Sequence, residues 1–174
     1  MGDAPPSPDA GPEEQVDVVD RHDVVLRTVP RSVMRRERLL HRAVYVAVFR
    51  PDGALLIHRR SETKDIWPGR WDIAVGGVVA AGESWDEAVR REIAEEIGVD
   101  DVVPEQIGAG SYEDAELAVL GRCYRIVTAA ALTFTDGEVI EAEWVESAAL
   151  PTLVRKRPFL PDGLALLGPF LGVR

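Results

Sequence analysis

Along most of this chain the aliphatic residues gather in short runs between turn residues, and one segment alone changes to a helical period. Residues 16–19 and 24–29 are two β-prone runs separated by Arg21, His22 and Asp23, the pattern of a small hairpin. Pro30 and Arg31 open a basic, helix-tolerant stretch that ends near Leu40, and proline suits a first helical turn. Residues 43–49, dense in valine and aromatic side chains, predict a strand. Pro51, Asp52 and Gly53 predict a turn, and residues 54–57 the returning strand, with Arg59 and Arg60 at its polar end. A loop with Pro68 and Gly69 follows over residues 61–71. Residues 72–75 predict a short strand stopped by Gly76 and Gly77, and Val78 and Val79 a further one before Gly82.

The helical segment follows. Trp85, Val89, Ile93 and Ile97 recur every fourth residue and form one apolar stripe. Ser84 with Glu87 is a capping box at its start, and Gly98 is the stop, so the helix is expected over residues 85–97. Beyond it lie expected strands at 106–112, 118–128 and 141–146, a helix at 148–154, and a helical turn at 164–167 ended by Gly168 and Pro169. There is no internal repeat. Strands, one central helix, more strands and then helices make an α+β layered domain.

A length of 174 residues suits one domain with a real core. Residues 1–14, with Pro5, Pro6, Pro8 and Pro12, are expected to be a flexible tail, and residues 15–174 the folded domain. A net charge of −10 repels nucleic acid, so no stable nucleic-acid binding is expected. The single cysteine, Cys123, rules out an intrachain disulfide and is expected to be a buried strand residue. Residues 1–11 lack the basic start and apolar run of a signal peptide, and no stretch is apolar enough to span a bilayer. A cytoplasmic protein without membrane contact is the expectation.

The chemistry sits on the predicted helix. Glu92, Glu95 and Glu96 stand at i, i+3 and i+4, so their carboxylates cluster beside the apolar stripe. Their mutual repulsion falls if a dication sits among them, and hard oxygen ligands suit Mg²⁺ or Mn²⁺. A bare run of this kind is ordinarily a solvated acidic face. The surrounding segment changes that balance. From Gly77 to Val99 it reads GVVAAGESWDEAVRREIAEEIGV, with Gly77, Glu83, Arg91, Glu92, Ile93, Glu95, Glu96, Gly98 and Val99 at fixed intervals.

This segment resembles the Nudix box at each of those positions. The resemblance implies a mixed β-sheet sandwiched between helices (α/β/α), with the box as a loop–helix–loop. It also implies a metal-dependent hydrolase that cleaves a diphosphate linkage in a nucleoside diphosphate derivative or related compound. Glu92 and Glu96 are then implied metal ligands, and Glu95 a further ligand or a base. The carbonyl of Gly76 or Gly77 is an implied main-chain ligand. Arg91 and Glu83 are the implied ion pair bracing loop against helix, although each also has an ordinary role as a first-turn acid or an i, i+4 partner. The acid near the metals in some family members matches the segment 136–141, where Glu138 and Glu141 are the candidates, with a plain surface-loop acid as the alternative. A homodimer is the family-level expectation.

Outside the box, His41-Arg42-Ala43, Asp52-Gly53, Arg59-Arg60-Ser61, Lys64 and Pro68-Gly69-Arg70-Trp71-Asp72 resemble the Nudix branch related to isopentenyl-diphosphate isomerase, a likeness running over residues 16–144. It implies that Arg60 and Lys64 contact the substrate diphosphate, Arg as a fork and Lys as a point charge. The isomerase carries its catalytic thiol and a metal histidine on a Cys-Gly-His stretch, and Gly76-Gly77-Val78 stands in that place. With the box intact and the thiol replaced, hydrolysis is expected rather than isomerisation. An isomerase-like enzyme and a non-catalytic nucleotide-sensing domain are the alternatives, and the intact glutamates argue against the second. His22, His41 and His58 lack metal spacing and are expected to be structural, with His41 and His58 on adjoining strands. Trp67 and Trp71 flank a turn, where packing, base stacking and isoprenoid cover are the options.

Overall fold

The computed structural model describes residues 12–134 and 137–173. The strands are β1 (Gln15–Val19), β2 (Val25–Pro30), β3 (His41–Phe49), β4 (Ala54–Arg60), β5 (Trp71–Asp72), β6 (Glu105–Glu113), β7 (Ala118–Val127) and β8 (Val139–Glu146). The α-helices are α1 (Arg31–Arg36), α2 (Trp85–Ile97), α3 (Leu150–Lys156) and α4 (Pro161–Leu167). None of the helices among the described residues is long and apolar enough to cross a membrane. Of the expected tail, residues 1–11 lie outside the described residues. Glu13 and Glu14 are already tied to α1: the Ser32 N–H donates to Glu13 Oε1 at 2.6 Å, and Arg31 pairs with Glu14 at 2.6 Å.

The sheet is mixed. β3 runs parallel to β7 from His41↔Val119 to Phe49↔Val127, β6 and β7 are antiparallel, and β1 meets β3 at Val18↔His41. β4 is antiparallel to β8 and β5. Among the described residues β3 and β4 share one register pair, Phe49↔Leu55, at their own hairpin. Beyond it the two strands part, because residues 75–79 take the edge of β3. Val46 and Val75 exchange N–H···O bonds of 2.7 and 2.9 Å, Val44 N–H donates to Gly77 O at 2.9 Å, and Val79 N–H donates to Arg42 O at 3.0 Å. The sheet therefore forks, and the fork is where the cleft opens.

The two-residue period of β3 feeds two cores. Ala43, Tyr45 and Ala47 pack with Leu166 and Leu167 of α4 on one face. Val44, Val46 and Val48 pack with Ala88, Val89, Ile93 and Ile97 of α2 on the other. Helices on both faces of a mixed sheet match the expected α+β sandwich. The α2 helix starts at the capping box, with Glu87 N–H donating to Ser84 Oγ at 3.2 Å and Ser84 N–H to Glu87 Oε2 at 2.9 Å, and stops at Gly98 in the left-handed region at φ 69°.

Some boundaries differ from the sequence expectation for identifiable reasons. The strand expected over 72–75 is β5 plus a single bridge at Val75, because Asp72 Oδ1 accepts the Ala74 N–H at 2.9 Å and turns the chain out of the ladder. Val78 and Val79 are not a strand of their own. Val78 bridges Ala43, and Gly76 and Gly77 break the run before it. The basic helix ends at Arg36 rather than near Leu40, since Arg38 sits at φ 50°. The last helix begins at Pro161, earlier than 164, with proline in its first turn.

Gly76 has no substitute here. Its φ is 145°, and a Cβ there would stand 2.1 Å from the Val44 carbonyl oxygen. Gly76→Ala is expected to lose about 2–4 kcal/mol of stability from backbone strain and a forced shift of β3. Urea unfolding of the variant measures this, and an unchanged midpoint would refute the close approach.

Candidate active site

A cleft of about 740 Å³ lies in the fork between β3 and β4. That volume is in the range of cofactor- and nucleotide-sized pockets. Its rim is the acidic face of α2, where Glu92, Glu95 and Glu96 all line the opening beside Gly76 and Gly77. Glu92 is buried and its pKa is raised, chiefly by burial, while Glu95 is exposed. The approach of helix and loop is close: a Cβ on Gly77 would fall 2.7 Å from Glu92 Oε2, so any larger residue there would make the Glu92 carboxylate shift. The Gly77 carbonyl accepts from Val44, which leaves the Gly76 carbonyl as the better main-chain candidate of the two.

Arg91 is the hub of the rim. Its Nε and one terminal nitrogen reach the two Glu83 carboxylate oxygens at 2.8 and 2.9 Å, and that nitrogen also donates to Val78 O at 3.1 Å. The other nitrogen contacts Glu92 at 2.7 Å and Glu95 at 3.1 Å. The hydrogen bonds that Arg91 donates hold the Glu83 carboxyl below its usual pKa, and the same bonds raise the guanidinium further. Among the described residues no three His, Cys, Asp or Glu side chains converge on a point that would hold an ion as they stand. Glu92 and Glu95 are both turned onto Arg91. The hard donor set and the glycine cradle fit a dication, and engaging one requires these side chains to rotate away from Arg91.

The opposite wall is cationic. Arg31, Arg35, Arg60 and Lys64 line the cleft, against the trend of an acidic chain. Arg31 is paired with Glu14, and Lys64 is in direct contact with Glu138. Arg60 donates to Ile66 O at 3.3 Å, and its Nε is buried without a hydrogen-bond partner. Arg35 makes no ion pair among the described residues, and burial with the like charge of Arg31 lowers its pKa. Arg31 and Arg35 escaped the sequence reading, although their spacing of four on one short helix puts both on one face. Of the two outer acids considered, Glu138 lines the cleft while Glu141 lies 3.8 Å from Arg59 outside it. Asp136 lies outside the described residues.

The inner end is polar and buried. The Tyr45 hydroxyl donates to Asp162 Oδ2 at 2.8 Å, and Asp72 stands near both. Burial pushes each of the two aspartates up to about 6. Because these acids bind protons more tightly folded than unfolded, their contribution to stability falls as pH rises through about 4 to 6. His41 and His58 line the same cleft from their two strands, and burial lowers His41 to about 4, so it is neutral at physiological pH. His22 lies in the exposed hairpin turn. Trp71 packs against Phe159 and under Arg157, whereas Trp67 lines the cleft. Cys123 is buried on β7, donates to Leu166 O at 3.5 Å, has its pKa raised to about 11 by burial, and does not line the cleft.

Comparison with known proteins agrees with this geometry. A family model described as NUDIX domain matches residues 39–163. An uncharacterized Nudix hydrolase of Yersinia pestis is 35% identical over 158 residues, covering 91% of this chain and 86% of the relative. The uncharacterized Nudix hydrolase YfcD of Escherichia coli is 36% identical over 154 residues, covering 88% of this chain and 84% of that protein. Among solved structures, DR0079 from Deinococcus radiodurans superposes with a TM-score of 0.76 at 27% identity, covering 91% of this chain and 98% of that one.

Proposed function

The chain belongs to the Nudix hydrolase family, and on that premise we propose that it cleaves the phosphoanhydride bond of a nucleoside diphosphate derivative with Mg²⁺ or Mn²⁺ held by the α2 glutamates. Enzymes of this family act on small-molecule phosphates. The observation that carries the reading is the pairing, across one cleft, of three clustered carboxylates with a wall of cations that includes Arg35 and Arg60. Cations bind the diphosphate chain, and carboxylates supply metal ligands and a proton acceptor.

Glu92 and Glu96, with the Gly76 carbonyl, would hold the ion. Once bound, it would neutralise charge on the diphosphate oxygens and acidify the attacking water. The chain's own residues do the rest. Arg60 and Lys64 grip the diphosphate. Arg91 locks the box loop to α2 through Glu83 and Val78 O, which holds Gly76 and Gly77 against Glu92. Glu95, at the exposed edge of the cluster, is the candidate proton acceptor on α2, and Glu138 is the candidate from the opposite wall. The likeness to the isomerase-related branch does not extend to isomerase chemistry in this reading. Gly76 cannot serve as an acid, and the buried Cys123 is outside the cleft.

The test is an assay over a panel of nucleoside diphosphate derivatives with Mg²⁺ or Mn²⁺, followed by proton NMR of isopentenyl diphosphate. Release of phosphate or a nucleoside monophosphate, with no double-bond migration, is expected. Migration at an enzymatic rate without P–O cleavage across the panel would overturn the reading.

The Lys64–Glu138 contact adds a finer expectation. Substrate phosphate competes with Glu138 for Lys64, which releases Glu138 beside the reacting centre. Glu138→Gln is therefore expected to lower kcat about tenfold or more, within the range of a lost general base, while Glu141→Gln leaves it near wild type. Equal, near-wild-type rates in both would leave the proton acceptor on α2.

A further inference from the structure

The inner end of the cleft holds charges of both signs. Asp162 is 7% exposed and Asp72 8%, and both line the cleft together with Arg35 of α1 and Arg60 of β4. The aspartates are neighbours, since a Cβ on Gly163, the residue after Asp162, would stand 3.1 Å from Asp72 Oδ1. The cations act on the same pair, Arg60 on Asp72 and Arg35 with Asp162. With both aspartates ionised the four charges cancel. Open groups remain nonetheless. Arg60 Nε and Asp162 Oδ1 are buried without a hydrogen-bond partner, and Arg35 makes no ion pair among the described residues.

An anion that enters this end meets two guanidinium groups and two carboxylates in a space sheltered from water. The guanidinium groups favour it, as forked donors to phosphate oxygens. Ionised aspartates oppose it, and burial strengthens the opposition. A proton on each removes it. Protonation of Asp162 also turns its unmatched Oδ1 into a hydroxyl that can donate to the anion, while Oδ2 still accepts from Tyr45 at 2.8 Å. Asp72 Oδ1 keeps the Ala74 N–H at 2.9 Å in either state.

We propose that Arg35 and Arg60 hold a phosphate group of the substrate at this inner end, and that Asp72 and Asp162 take up protons as it binds. This rests on the reading of the cleft as a phosphate site and adds a regulation to it: the site fills more readily as pH falls. Burial has already pushed both aspartates up to about 6. A bound anion raises them further, so affinity rises as pH falls toward about 6 and levels off below it, the pair titrating as a unit. Other groups facing the pair hold their charge state near neutrality. Burial keeps the Tyr45, Tyr112 and Cys123 protons on and, by lowering His41 to about 4, leaves that ring neutral. Arg31 is paired with Glu14. His58 and the rim glutamates are further titratable groups along the cleft, and the variants below separate their effect from that of the aspartates.

The probe is sulfate, which stays doubly charged over the range tested, titrated into the metal-free protein at constant ionic strength from about pH 8 to pH 5.5. Wild type is expected to bind it at least about threefold tighter per pH unit between pH 8 and 6, and calorimetry in two buffers of different ionisation enthalpy to show uptake of about half a proton or more at pH 7. Asp72→Asn with Asp162→Asn keeps both acceptor oxygens but cannot ionise. That double variant is expected to bind sulfate at least about tenfold tighter at pH 8, with the pH dependence and the proton uptake lost. Each single variant is expected to lose part of both, which keeps the test open if the double variant does not fold. Arg35→Gln is expected to weaken binding at least about tenfold. Melting curves confirm that each variant is folded. The proposal is overturned if wild type binds no sulfate, if its affinity does not change with pH, if folded aspartate variants keep the full pH dependence, or if Arg35→Gln binds as wild type does. Cleavage of a nucleotide with pH-independent sulfate affinity would sink this proposal and leave the hydrolase reading standing. Proton-linked sulfate binding with no P–O cleavage would do the reverse.

Discussion

Glu96→Gln is expected to lower turnover at least about a hundredfold if Glu96 holds the metal as proposed, because a lost metal ligand removes on the order of 3 kcal/mol of transition-state stabilisation. Gln keeps the size and polarity of the side chain but not its charge. Glu96 lines the cleft and is only half-buried, so the fold is expected to survive with an unchanged melting temperature. The measurement is kcat on a substrate identified from the panel, at saturating Mg²⁺ and Mn²⁺. Partial recovery at higher metal concentration would mark the loss as one of metal affinity. Wild-type turnover in a folded variant would remove Glu96 from the metal site.

The second large effect is on Arg91. Arg91→Gln deletes the bidentate fork to Glu83 and the contact to Val78 O, and leaves Glu92 facing Glu95 without a counter-ion. Glu92 is buried and Glu83 nearly so, so a stability loss of about 2–4 kcal/mol is expected, below the full cost of a deeply buried pair because Arg91 is partly exposed. Turnover is expected to fall at least about tenfold, since the loop that carries Gly76 is no longer held to the helix. Arg91→Lys restores charge but not the planar fork and is expected to recover only part of either loss. The pH dependence follows from Glu83, whose pKa is held low by Arg91. The stability that pair supplies is present above the ordinary carboxylate range and lost as pH falls through the lowered value, so wild type and variant converge in acid. Denaturant melts at neutral and acidic pH measure this. A difference that does not shrink in acid would show that packing by Arg91, rather than its charge, is what matters.

The two variants probe different halves of one arrangement. Arg91 neutralises Glu92 and Glu95 in this structure, and a dication would take over that task when the carboxylates turn toward it. On the proposed reading, two alternative counter-charges for one acidic cluster would let such a rim fold before a metal binds. The arginine keeps the repulsion tolerable, and the glycine loop keeps the carboxylate within reach of the main chain.

Local spacing alone determined the acidic helix α2. Ser84, Glu87 and Gly98 set its ends, Val89, Ile93 and Ile97 its buried face, and Glu92, Glu95 and Glu96 its acidic edge. Each of these is an interaction between residues one helical turn apart, so the order of residues contains it. The strand runs were legible from β-prone residues between turn residues, the pairing of Arg91 with Glu83 from the resemblance of the box, and Arg60 and Lys64 from the likeness outside it. The fork between β3 and β4 was not. It arises because residues 75–79 displace β4 from the edge of β3, and competition for a strand edge has no local signature. Nor was the inner chamber, where Tyr45 meets Asp162 across most of the chain, or the Lys64–Glu138 contact, or the turn of α1 that brings Arg35 to the cleft. Those groups are distant in sequence and acquire their partners, burial and altered acidity only when the two halves of the sheet close around one space.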